Sequence, residues 1–378
     1  MKPEDAQHRP TPLAARIAQR IRSEGPLTVA EYMRTCLHDP AHGYYRTRQA
    51  IGRVGDFITA PEISQVFGEL IGLWCAVVWQ QMGAPSTLDL IEFGPGRGTL
   101  MRDALRATRT VRGFRDAIAV YLIESNTALV EQQRATLDQE TVPIHWRDGI
   151  QTIYKNAPTI VVANEFLDTI PIDQWVFRHG HWRQRCVGLG STQQLTFVDG
   201  DVDAELSLTS GLDAPPREGD IFETRTPALA AFALNLTSLG TASATLIIDY
   251  GHSAPAFGDT LQAIRAHNYE DPFYAPGEAD LTAQIDFTAL ANAVKASGLS
   301  VDGPATQAEF LGALGIAERA SHLMGANPQL AGSIETAIAR LMAPNGMGTR
   351  FKAIGVRSAG LPLLPCLLSQ VDIGSTHA

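Results

Sequence analysis

The sequence predicts an α/β fold in which a mostly parallel β-sheet is covered by helices on both faces. A strand-length apolar segment at residues 87–93 is followed by a glycine-rich turn and then by an amphipathic helical stretch at 100–107. Apolar strand-length segments and helical segments then alternate through residue 168, which is typical of parallel sheets. Residues 351–357 form a further apolar segment that we predict to be the last strand.

The residues before the glycine turn are predicted to be mainly helical. Residues 13–37 place Leu13, Ile17 and Ile21 on one helical face, and Thr28 can cap a second helix. A glycine-bearing loop at 52–64 leads into another helix, for which Thr59 or Ser64 can serve as the N-cap. We expect this loop to cover a ligand, because polar loops on rigid helices often carry function. A solvent-exposed connection is the alternative.

The remaining elements suggest a core with insertions. Strands are predicted at 117–124, 142–146, 159–163, 244–248 and 299–301, and helices at 127–137, 227–236, 287–297 and about 305–341. Two hairpins, with turns at His179-Gly180 and Asp199-Gly200, are predicted in the second half. The predicted organisation is an N-terminal helical region with the lid loop (1–80) and a core (81–378) with insertions at about 174–222, 253–284 and 305–348.

The composition excludes several classes of function. The chain has 30 basic and 40 acidic residues, a formal net charge of −10 and no long basic stripe, so nucleic acid is not an expected partner. Its four cysteines are far apart and its histidines lack metal-ligand spacing, which indicates reduced thiols and no metal site. With neither a secretory signal nor an apolar segment of membrane-spanning length, a soluble protein is expected.

The glycine turn indicates a class of cofactor. The pattern Glu92-x-Gly94-x-Gly96-x-Gly98 has an acidic residue two positions before three glycines spaced two apart. Glycine lets the backbone approach a ligand closely, and the following helix offers free N–H groups. A dinucleotide fingerprint instead reads G-x-G-x-x-G. The observed pattern resembles the first motif of S-adenosylmethionine (SAM)-dependent methyltransferases, so SAM is the predicted cofactor; a generic strand-to-helix turn is the alternative.

Acidic residues also follow the next two predicted strands. Glu124 ends the strand at 117–124, and Asp148 follows the strand at 142–146. Ligands of open α/β sheets bind beyond the carboxyl ends of the strands. A carboxylate at Glu124 could accept hydrogen bonds from both ribose hydroxyls, and Asp148 could accept one from the adenine amino group. For each residue, capping the next helix is the alternative.

Residues 164–168, Asn-Glu-Phe-Leu-Asp, follow the fourth strand, where a cofactor methyl group and its acceptor should meet. Enzymes that methylate planar amides or base amino groups typically carry Asn/Asp-Pro-Pro-aromatic here, whereas this segment has no proline and two carboxylates. The pair Glu165 and Asp168 would suit a guanidinium or amine acceptor, so both are candidate catalytic residues. Asn164 is a candidate cofactor contact. Alternatively, one carboxylate only caps a helix or forms a salt bridge.

Several segments resemble a known family. They are Asp-Pro-Ala-His-Gly-Tyr-Tyr (39–45), the string from Gly-Asp-Phe to Phe-Gly-Glu (55–69), the glycine turn (92–100), and the segments 163–168, 248–252, 276–282, 347–348 and 351–352. They occur in order over nearly the full chain, and several are unusual. By these segments the sequence resembles the MidA-like methyltransferases, which include a mitochondrial protein-arginine methyltransferase of complex I assembly.

This resemblance implies a class I SAM-dependent methyltransferase fold, which is Rossmann-like with a seven-stranded, mostly parallel sheet and an antiparallel last strand. For the mitochondrial member it implies symmetric dimethylation of an arginine in a complex I subunit. The family's Gly-Asp-Phe loop matches this chain at Asp56 and Phe57, which adds Asp56 to the candidate catalytic residues, and its Asn-Glu-Phe segment matches at Asn164 and Glu165.

The expected function is therefore protein-arginine methylation in support of respiratory-complex assembly. The expected partner is a protein substrate such as a complex I subunit, and a homodimer is left open. The expected location is the cytoplasm of a bacterium, or the mitochondrial matrix in a eukaryote. The alternatives are a non-catalytic SAM-binding assembly factor and an NAD-type oxidoreductase, which the missing dinucleotide fingerprint disfavours.

Overall fold

The computed structural model describes residues 11–47, 59–153, 157–202, 212, 214–240 and 242–367. Contacts divide the chain into two compact units. Unit 1 comprises Met1–Phe57, Thr169–Arg225 and Ala254–Gln284; unit 2 comprises Ile58–Asp168, Thr226–Ser253 and Ile285–Ala378. Each unit is thus built from separate stretches of sequence.

The described residues form helices and strands with the following bounds. The helices are α1 (Pro12–Glu24), α2 (Val29–His38), α3 (Tyr44–Thr47), α4 (Ala60–Ile63), α5 (Gln65–Gln81), α6 (Thr99–Ala107), α7 (Phe114–Ala117), α8 (Thr127–Thr136), α9 (Thr226–Thr237), α10 (Phe287–Ala296), α11 (Gln307–Ala313), α12 (Ile316–Ala326) and α13 (Ala331–Met342). The strands are β1 (Leu27–Thr28), β2 (Leu88–Phe93), β3 (Ile118–Ile123), β4 (Ile144–Arg147), β5 (Thr159–Asn164), β6 (Asp173–Arg178), β7 (His181–Leu189), β8 (Leu195–Val202), β9 (Ile221–Thr224), β10 (Ser243–His252), β11 (Gln262–Arg265), β12 (Asn268–Glu270), β13 (Asp280–Thr282), β14 (Ile285–Asp286), β15 (Ser300–Thr306) and β16 (Phe351–Arg357). Within the described ranges, every helix is too short or too polar to cross a bilayer.

Unit 2 contains the predicted sheet. Seven strands pair in the order β15-β16-β10-β5-β2-β3-β4, and β14 pairs with the end of β10. The strands from β10 to β4 are parallel to one another, whereas β16 is antiparallel to both β10 and β15. The seven-stranded, mostly parallel sheet with an antiparallel last strand is therefore confirmed.

One face of this sheet is buried under α5 and α6. Leu90, Val120 and Ile160 from three neighbouring strands pack in one core with Phe67 and Trp74 of α5. Burying a large apolar side chain contributes about 1.5–3 kcal/mol, so this layer stabilises the strands whose ends form the site.

Helices α5 and α6 pack unusually closely because α5 carries two glycines at their contact. A Cβ built on Gly72 would lie 2.5 Å from the Cα of Ala104, and one built on Gly68 would lie 2.8 Å from the Cβ of Asp103. A larger residue at either position would push α6 away from α5. Because α6 follows the glycine turn directly, this contact helps to fix where the turn lies.

Two capping predictions can be compared with the structure. Thr28 caps α2 in a reciprocal capping box with Glu31, as predicted. Of the two candidates beside the glycine-bearing loop, Ser64 accepts a hydrogen bond from the N–H of Val66 and caps α5. The side chain of Thr59, which precedes α4, makes no capping hydrogen bond.

Unit 1 contains small antiparallel sheets. One has the order β1-β7-β6-β9 with β8 paired to β7, and the other has the order β12-β11-β13. The predicted hairpin at His179-Gly180 is confirmed, since Arg178 pairs with His181. Apolar residues of α1 and α2, including Leu13, Ile17 and Met33, form its core.

The prediction of a turn at Asp199-Gly200 is wrong. Strand β8 runs through both residues and pairs with β7, and the turn between these strands lies earlier, where the N–H of Gly190 bonds to the carbonyl of Gln194. The glycine has a different purpose: a Cβ at Gly200 would lie 2.8 Å from the Sγ of Cys186, beside an irregularity in the β7–β8 register. The predicted partner strand at 204–208 lies outside the described residues.

The helical stretch predicted from residue 305 also begins later than expected. Strand β15 continues to Thr306, which then caps α11 through a capping box with Glu309.

Candidate active site

The carboxyl ends of β2 and β5 lie side by side in the middle of the unit 2 sheet. From β2 the chain proceeds outward through β3 and β4, and then returns to the other side of β2 with β5 and β10. This reversal creates a crevice at the ends of β2 and β5, the usual ligand site of open α/β sheets. The predicted site residues after β2 and β5 therefore meet at one edge.

The glycine turn after β2 adopts a conformation that favours glycine. Gly94, Gly96 and Gly98 have φ values of 59°, 54° and 79°, and Gly98 is the N-cap of α6. A Cβ at Gly94 would also lie 3.1 Å from the ring of Phe166, which follows β5. The three glycines thus allow the left-handed backbone and let the turn approach the segment after β5.

Glu92 lies on β2 just before this turn and is 3% exposed. Burial raises the pKa of its carboxyl to about 8. Its Oε2 atom is buried without a hydrogen-bond partner in the described structure. A buried acceptor of this kind is satisfied when a donor-bearing ligand binds, and a cationic donor would favour its ionised form.

Glu124 immediately follows β3 and is half-buried. Its Oε1 accepts a 2.7 Å hydrogen bond from the N–H of Asn126, while Asn126 itself caps α8. Glu124 therefore stabilises the turn before the helix rather than capping the helix. Its position at the end of β3 is compatible with the predicted ribose contact.

Gln133 on α8 was not singled out from the sequence. Its amide Nε2 lies 2.7 Å from the carbonyl oxygen of Gly96 and 3.4 Å from Oε2 of Glu124, and its Oε1 accepts a 2.9 Å bond from the indole of Trp146. A glutamine on an amphipathic helix offers no sequence signal of such a role. It is found only from the tertiary contacts.

Asp148, predicted to contact adenine, follows β4 and is exposed. Of the two predicted carboxylates after β3 and β4, only Glu124 shares a hydrogen-bond partner with the glycine turn. Asp56 lies outside the described residues, as does Phe57.

Asn164 and Glu165 lie at the end of β5. Asn164 is buried, its Nδ2 lies 3.2 Å from Oε1 of Glu165, and its Oδ1 has no hydrogen-bond partner in the described structure. The same Glu165 oxygen accepts a 2.9 Å bond from the N–H of Ala60 in α4. The Glu165 backbone has a left-handed φ of 49°, which costs about 1–3 kcal/mol in a residue other than glycine. Such strain is found mainly where function requires it.

Burial is the main cause of the altered acidity of Glu165. The pKa of the carboxyl is raised to about 7: burial and, to a smaller extent, the nearby charge of Asp168 raise it, while the hydrogen bonds from Ala60 and Asn164 lower it. Glu165 is therefore poised to exchange a proton near neutral pH.

Asp249 is a buried acidic residue on β10 that holds the segment after β5. Its Oδ2 accepts hydrogen bonds from the N–H groups of Leu167 and Asp168, at 2.9 and 3.1 Å. Burial raises the pKa of Asp249 well above its usual value, and the neighbouring carboxyls of Asp168 and Glu165 raise it further. Asp168, the other predicted catalytic carboxylate, is buried beside this group.

The short helix α4 connects the two halves of the site. Glu62 accepts hydrogen bonds from Thr99 and Arg97 of the glycine turn, the latter at 3.4 Å, while Ala60 donates to Glu165. The end of the predicted lid loop is therefore the helix α4, which contacts both the glycine turn and the acidic segment. Glu62 lies within one of the family-like strings, but nothing in its spacing predicted this contact.

These residues fit SAM. The left-handed glycine turn admits a close ligand, the buried oxygens of Glu92 and Asn164 need donors, and Glu124 offers a carboxylate at the next strand end. SAM carries an ammonium group, ribose hydroxyls and a positively charged sulfonium. These acidic residues, which accept hydrogen bonds, match its donors and its positive charge. Of the predicted contacts, Glu92, Gly94, Gly96, Gly98, Glu124 and Asn164 would hold it.

Comparison with known proteins identifies the class. A family model for S-adenosyl-L-methionine-dependent methyltransferases matches residues 70–305. The chain belongs to this family. It is a SAM-dependent methyltransferase, and SAM is its cofactor.

Individual relatives agree with this assignment. The methyltransferase is 34% identical to the rat "Protein arginine methyltransferase NDUFAF7, mitochondrial", over 93% of this chain and 85% of the rat protein. It is 33% identical to the human protein of that name, over 92% and 84%. A crystal structure from Burkholderia thailandensis with S-adenosyl-homocysteine bound matches with a TM-score of 0.83 and 28% identity, over 94% of this chain and 93% of the other.

Proposed function

We propose that this methyltransferase transfers a methyl group to an arginine side chain of a protein. The observation that carries the proposal is the Glu165 carboxyl, held at the end of β5 by Ala60 and Asn164 beside buried Asp168. Carboxylates form stronger, charge-assisted hydrogen bonds with guanidinium groups than with neutral amides, so Glu165 favours a guanidinium acceptor. The mitochondrial relatives, which are named protein arginine methyltransferases, support the same acceptor.

Each residue would contribute in a defined way. The cofactor supplies an electrophilic methyl group attached to a sulfonium. Glu165 would hold the guanidinium so that one nitrogen faces that methyl group, and alignment of this kind accounts for much of the catalysis of a displacement. As the new N–C bond forms, the acceptor nitrogen loses a proton, and a carboxylate with a pKa of about 7 can receive it.

The acidic surroundings favour a cationic acceptor over a neutral one. Glu165, Asp168 and Asp249 lie close enough to influence one another's ionisation. A guanidinium entering this group would offset their mutual repulsion and favour their ionised forms. We propose Asp168 as a second contact for the acceptor and Asp249 as the residue that positions the segment.

We further propose that the substrate is a subunit of respiratory complex I or a similar protein, methylated to support its assembly. The mitochondrial relatives support a matrix location in a eukaryote, and the corresponding location in a bacterium is the cytoplasm. A scaffold that binds SAM without transferring methyl groups is the competing function.

The proposal is tested by incubating the purified protein with methyl-labelled SAM and an extract of cells that lack its gene. Labelled proteins are hydrolysed, and the labelled amino acid is identified by mass spectrometry. We expect labelled methylarginine, and peptide sequencing of the labelled band identifies the subunit.

The Glu165→Gln variant should bind SAM but give at least about a hundredfold less labelled methylarginine than the wild type. Glu131→Gln, the same substitution at an exposed site on α8, should behave as the wild type. Label on another amino acid contradicts the arginine proposal, label on an unrelated protein contradicts the complex I proposal, and SAM binding without any label supports the scaffold.

A further inference from the structure

Gln133 makes hydrogen bonds to three parts of the cofactor site while being completely buried. Its Nε2 donates to the Gly96 carbonyl at 2.7 Å and lies 3.4 Å from Oε2 of Glu124, and its Oε1 accepts from the Trp146 indole at 2.9 Å. One side chain from α8 thus joins the glycine turn after β2, the carboxylate after β3 and the aromatic residue of β4.

Both ends of this amide matter because Gln133 and Gly96 are buried. A buried polar group without a partner costs about 1–3 kcal/mol, so the Gly96 carbonyl and the Gln133 amide hold each other in place. An amide is the side chain that can do this, since it donates through nitrogen and accepts through oxygen. A carboxylate could accept from Trp146 but could not donate to Gly96 or Glu124.

The glycine turn also packs against Gln133. A Cβ built on Gly98 would lie 3.5 Å from the Cα of Gln133, which is ordinary contact distance. The guanidinium of Arg134 stacks over the face of the Trp146 ring, 4.1 Å from its centre. This contact helps to hold the indole that bonds to Gln133. The turn, the helix and β4 therefore form one packed unit.

We propose that Gln133 is a positioning residue for cofactor binding. It holds the Gly96 carbonyl and the Glu124 carboxylate in one arrangement, so that the turn and the ribose-binding group are set before the cofactor arrives. A site that is ordered in advance binds more tightly because less conformational entropy is lost on binding. This inference rests on the proposed ribose role of Glu124 and not on the identity of the methyl acceptor.

The test compares binding of S-adenosyl-homocysteine with binding of its 2′-deoxyribose analogue by calorimetry. The wild type should bind the parent compound more tightly, because the analogue lacks a hydroxyl for Glu124. In Gln133→Met, which keeps the side-chain length, affinity for the parent compound should fall roughly tenfold or more, and the preference over the analogue should shrink towards unity. Gln133→Glu should lose at least as much, because it places a second carboxylate beside Glu124.

Two controls separate positioning from general damage. Gln139→Met changes an exposed glutamine whose amide donates to its neighbour Asp138, and should bind both compounds as the wild type does. In Gln133→Glu, the NMR signal of the Trp146 indole N–H should stay close to its wild-type position, since an acceptor remains. In Gln133→Met that signal should move.

The proposal is overturned if the Gln133 variants bind the parent compound as tightly as the wild type does. It is also overturned by weaker binding with an unchanged preference over the analogue, since the residue would then support the fold without orienting Glu124. A wild type that does not distinguish the two compounds would remove the ribose role of Glu124, and the Gln133 proposal with it; arginine methylation would be unaffected.

Discussion

The backbone N–H of Ala60 donates a 2.9 Å hydrogen bond to the carboxyl of Glu165. The two residues are 105 positions apart in the sequence. This bond fixes the direction of a carboxyl whose backbone is already held in a left-handed conformation. A strained, oriented acid at the end of β5 is the main structural evidence for where the acceptor binds.

The first prediction concerns the pH dependence of methyl transfer. Burial raises the pKa of Glu165 to about 7, so its carboxylate form becomes populated as the pH rises through 7. Transfer should increase over the same range if the carboxylate binds the acceptor and takes its proton. Glu165→Gln should lower kcat by about a hundredfold or more and remove the rise in rate near pH 7, with little change in the Kd for SAM.

The measurement is a pH–rate profile for both proteins, with Glu131→Gln as the exposed control. If Glu165→Gln keeps the rise in rate near pH 7, that rise comes from the ionisation of another group.

The second prediction concerns Glu62, which links α4 to the glycine turn. Glu62→Ala removes the acceptor for both Thr99 and Arg97, and should weaken SAM binding roughly threefold to tenfold. Arg97→Ala should have a smaller effect, because the partly exposed ion pair contributes little.

Calorimetric titration with SAM measures both effects. An Arg97→Ala defect equal to that of Glu62→Ala would show that the ion pair, rather than the Thr99 hydrogen bond, holds the turn.

The third prediction concerns stability and Glu92. Its folded-state pKa of about 8 lies above the ordinary value of 4.5, so the folded protein retains a proton that the unfolded chain releases. Stability should therefore fall as the pH rises from about 4.5 to about 8, and should level off above that. Glu92→Gln removes this loss of stability. The difference in free energy of unfolding, variant minus wild type, should therefore be larger at pH 8.5 than at pH 5. The increase should be a few kcal/mol, the energy that corresponds to the pKa shift of Glu92.

Urea denaturation of the proteins without cofactor at the two pH values provides the measurement. If the free energy of unfolding changes equally with pH in the two proteins, Glu92 is ionised in the folded protein at both pH values.

The fourth prediction concerns the glycine turn. Gly96→Arg should reduce SAM affinity by about a hundredfold or more, because a side chain at a φ of 54° is strained and would occupy the turn that we propose contacts the cofactor. Gly180→Arg is a matched control: its φ is 82°, a Cβ there would meet no atom within 4 Å, and it lies in the β6–β7 hairpin. The motif assignment is confirmed if the two variants have similar thermal stability and only Gly96→Arg loses SAM binding. Unchanged SAM affinity in Gly96→Arg would contradict it.

Local patterns predicted most of the sheet. The apolar segments at β2, β5 and β10 have the length of strands, and turn or helix signals bound them, so length and flanking residues identify them as buried strands. The second hairpin was misplaced because Asp199-Gly200 is a common turn dipeptide. Gly200 instead relieves a close contact with Cys186 on the neighbouring strand, which the local sequence cannot show.

The site residues divide in a similar way. Glu92, Glu124 and Glu165 could be proposed because strand ends converge in parallel sheets, and a strand end is visible in the sequence. Asp249, Gln133 and Glu62 could not, because their importance comes from backbone groups of distant segments that they contact. An acidic or amide residue without that context has no distinguishing pattern.

By itself, the sequence determined the fold class, the cofactor and the strand ends that carry the site, because hydrophobic periodicity and glycine spacing are local properties. The tertiary structure decided which carboxyls are buried, which oxygens lack partners and which residues hold the glycine turn. Those properties depend on desolvation and on hydrogen bonds between segments that are far apart in the chain.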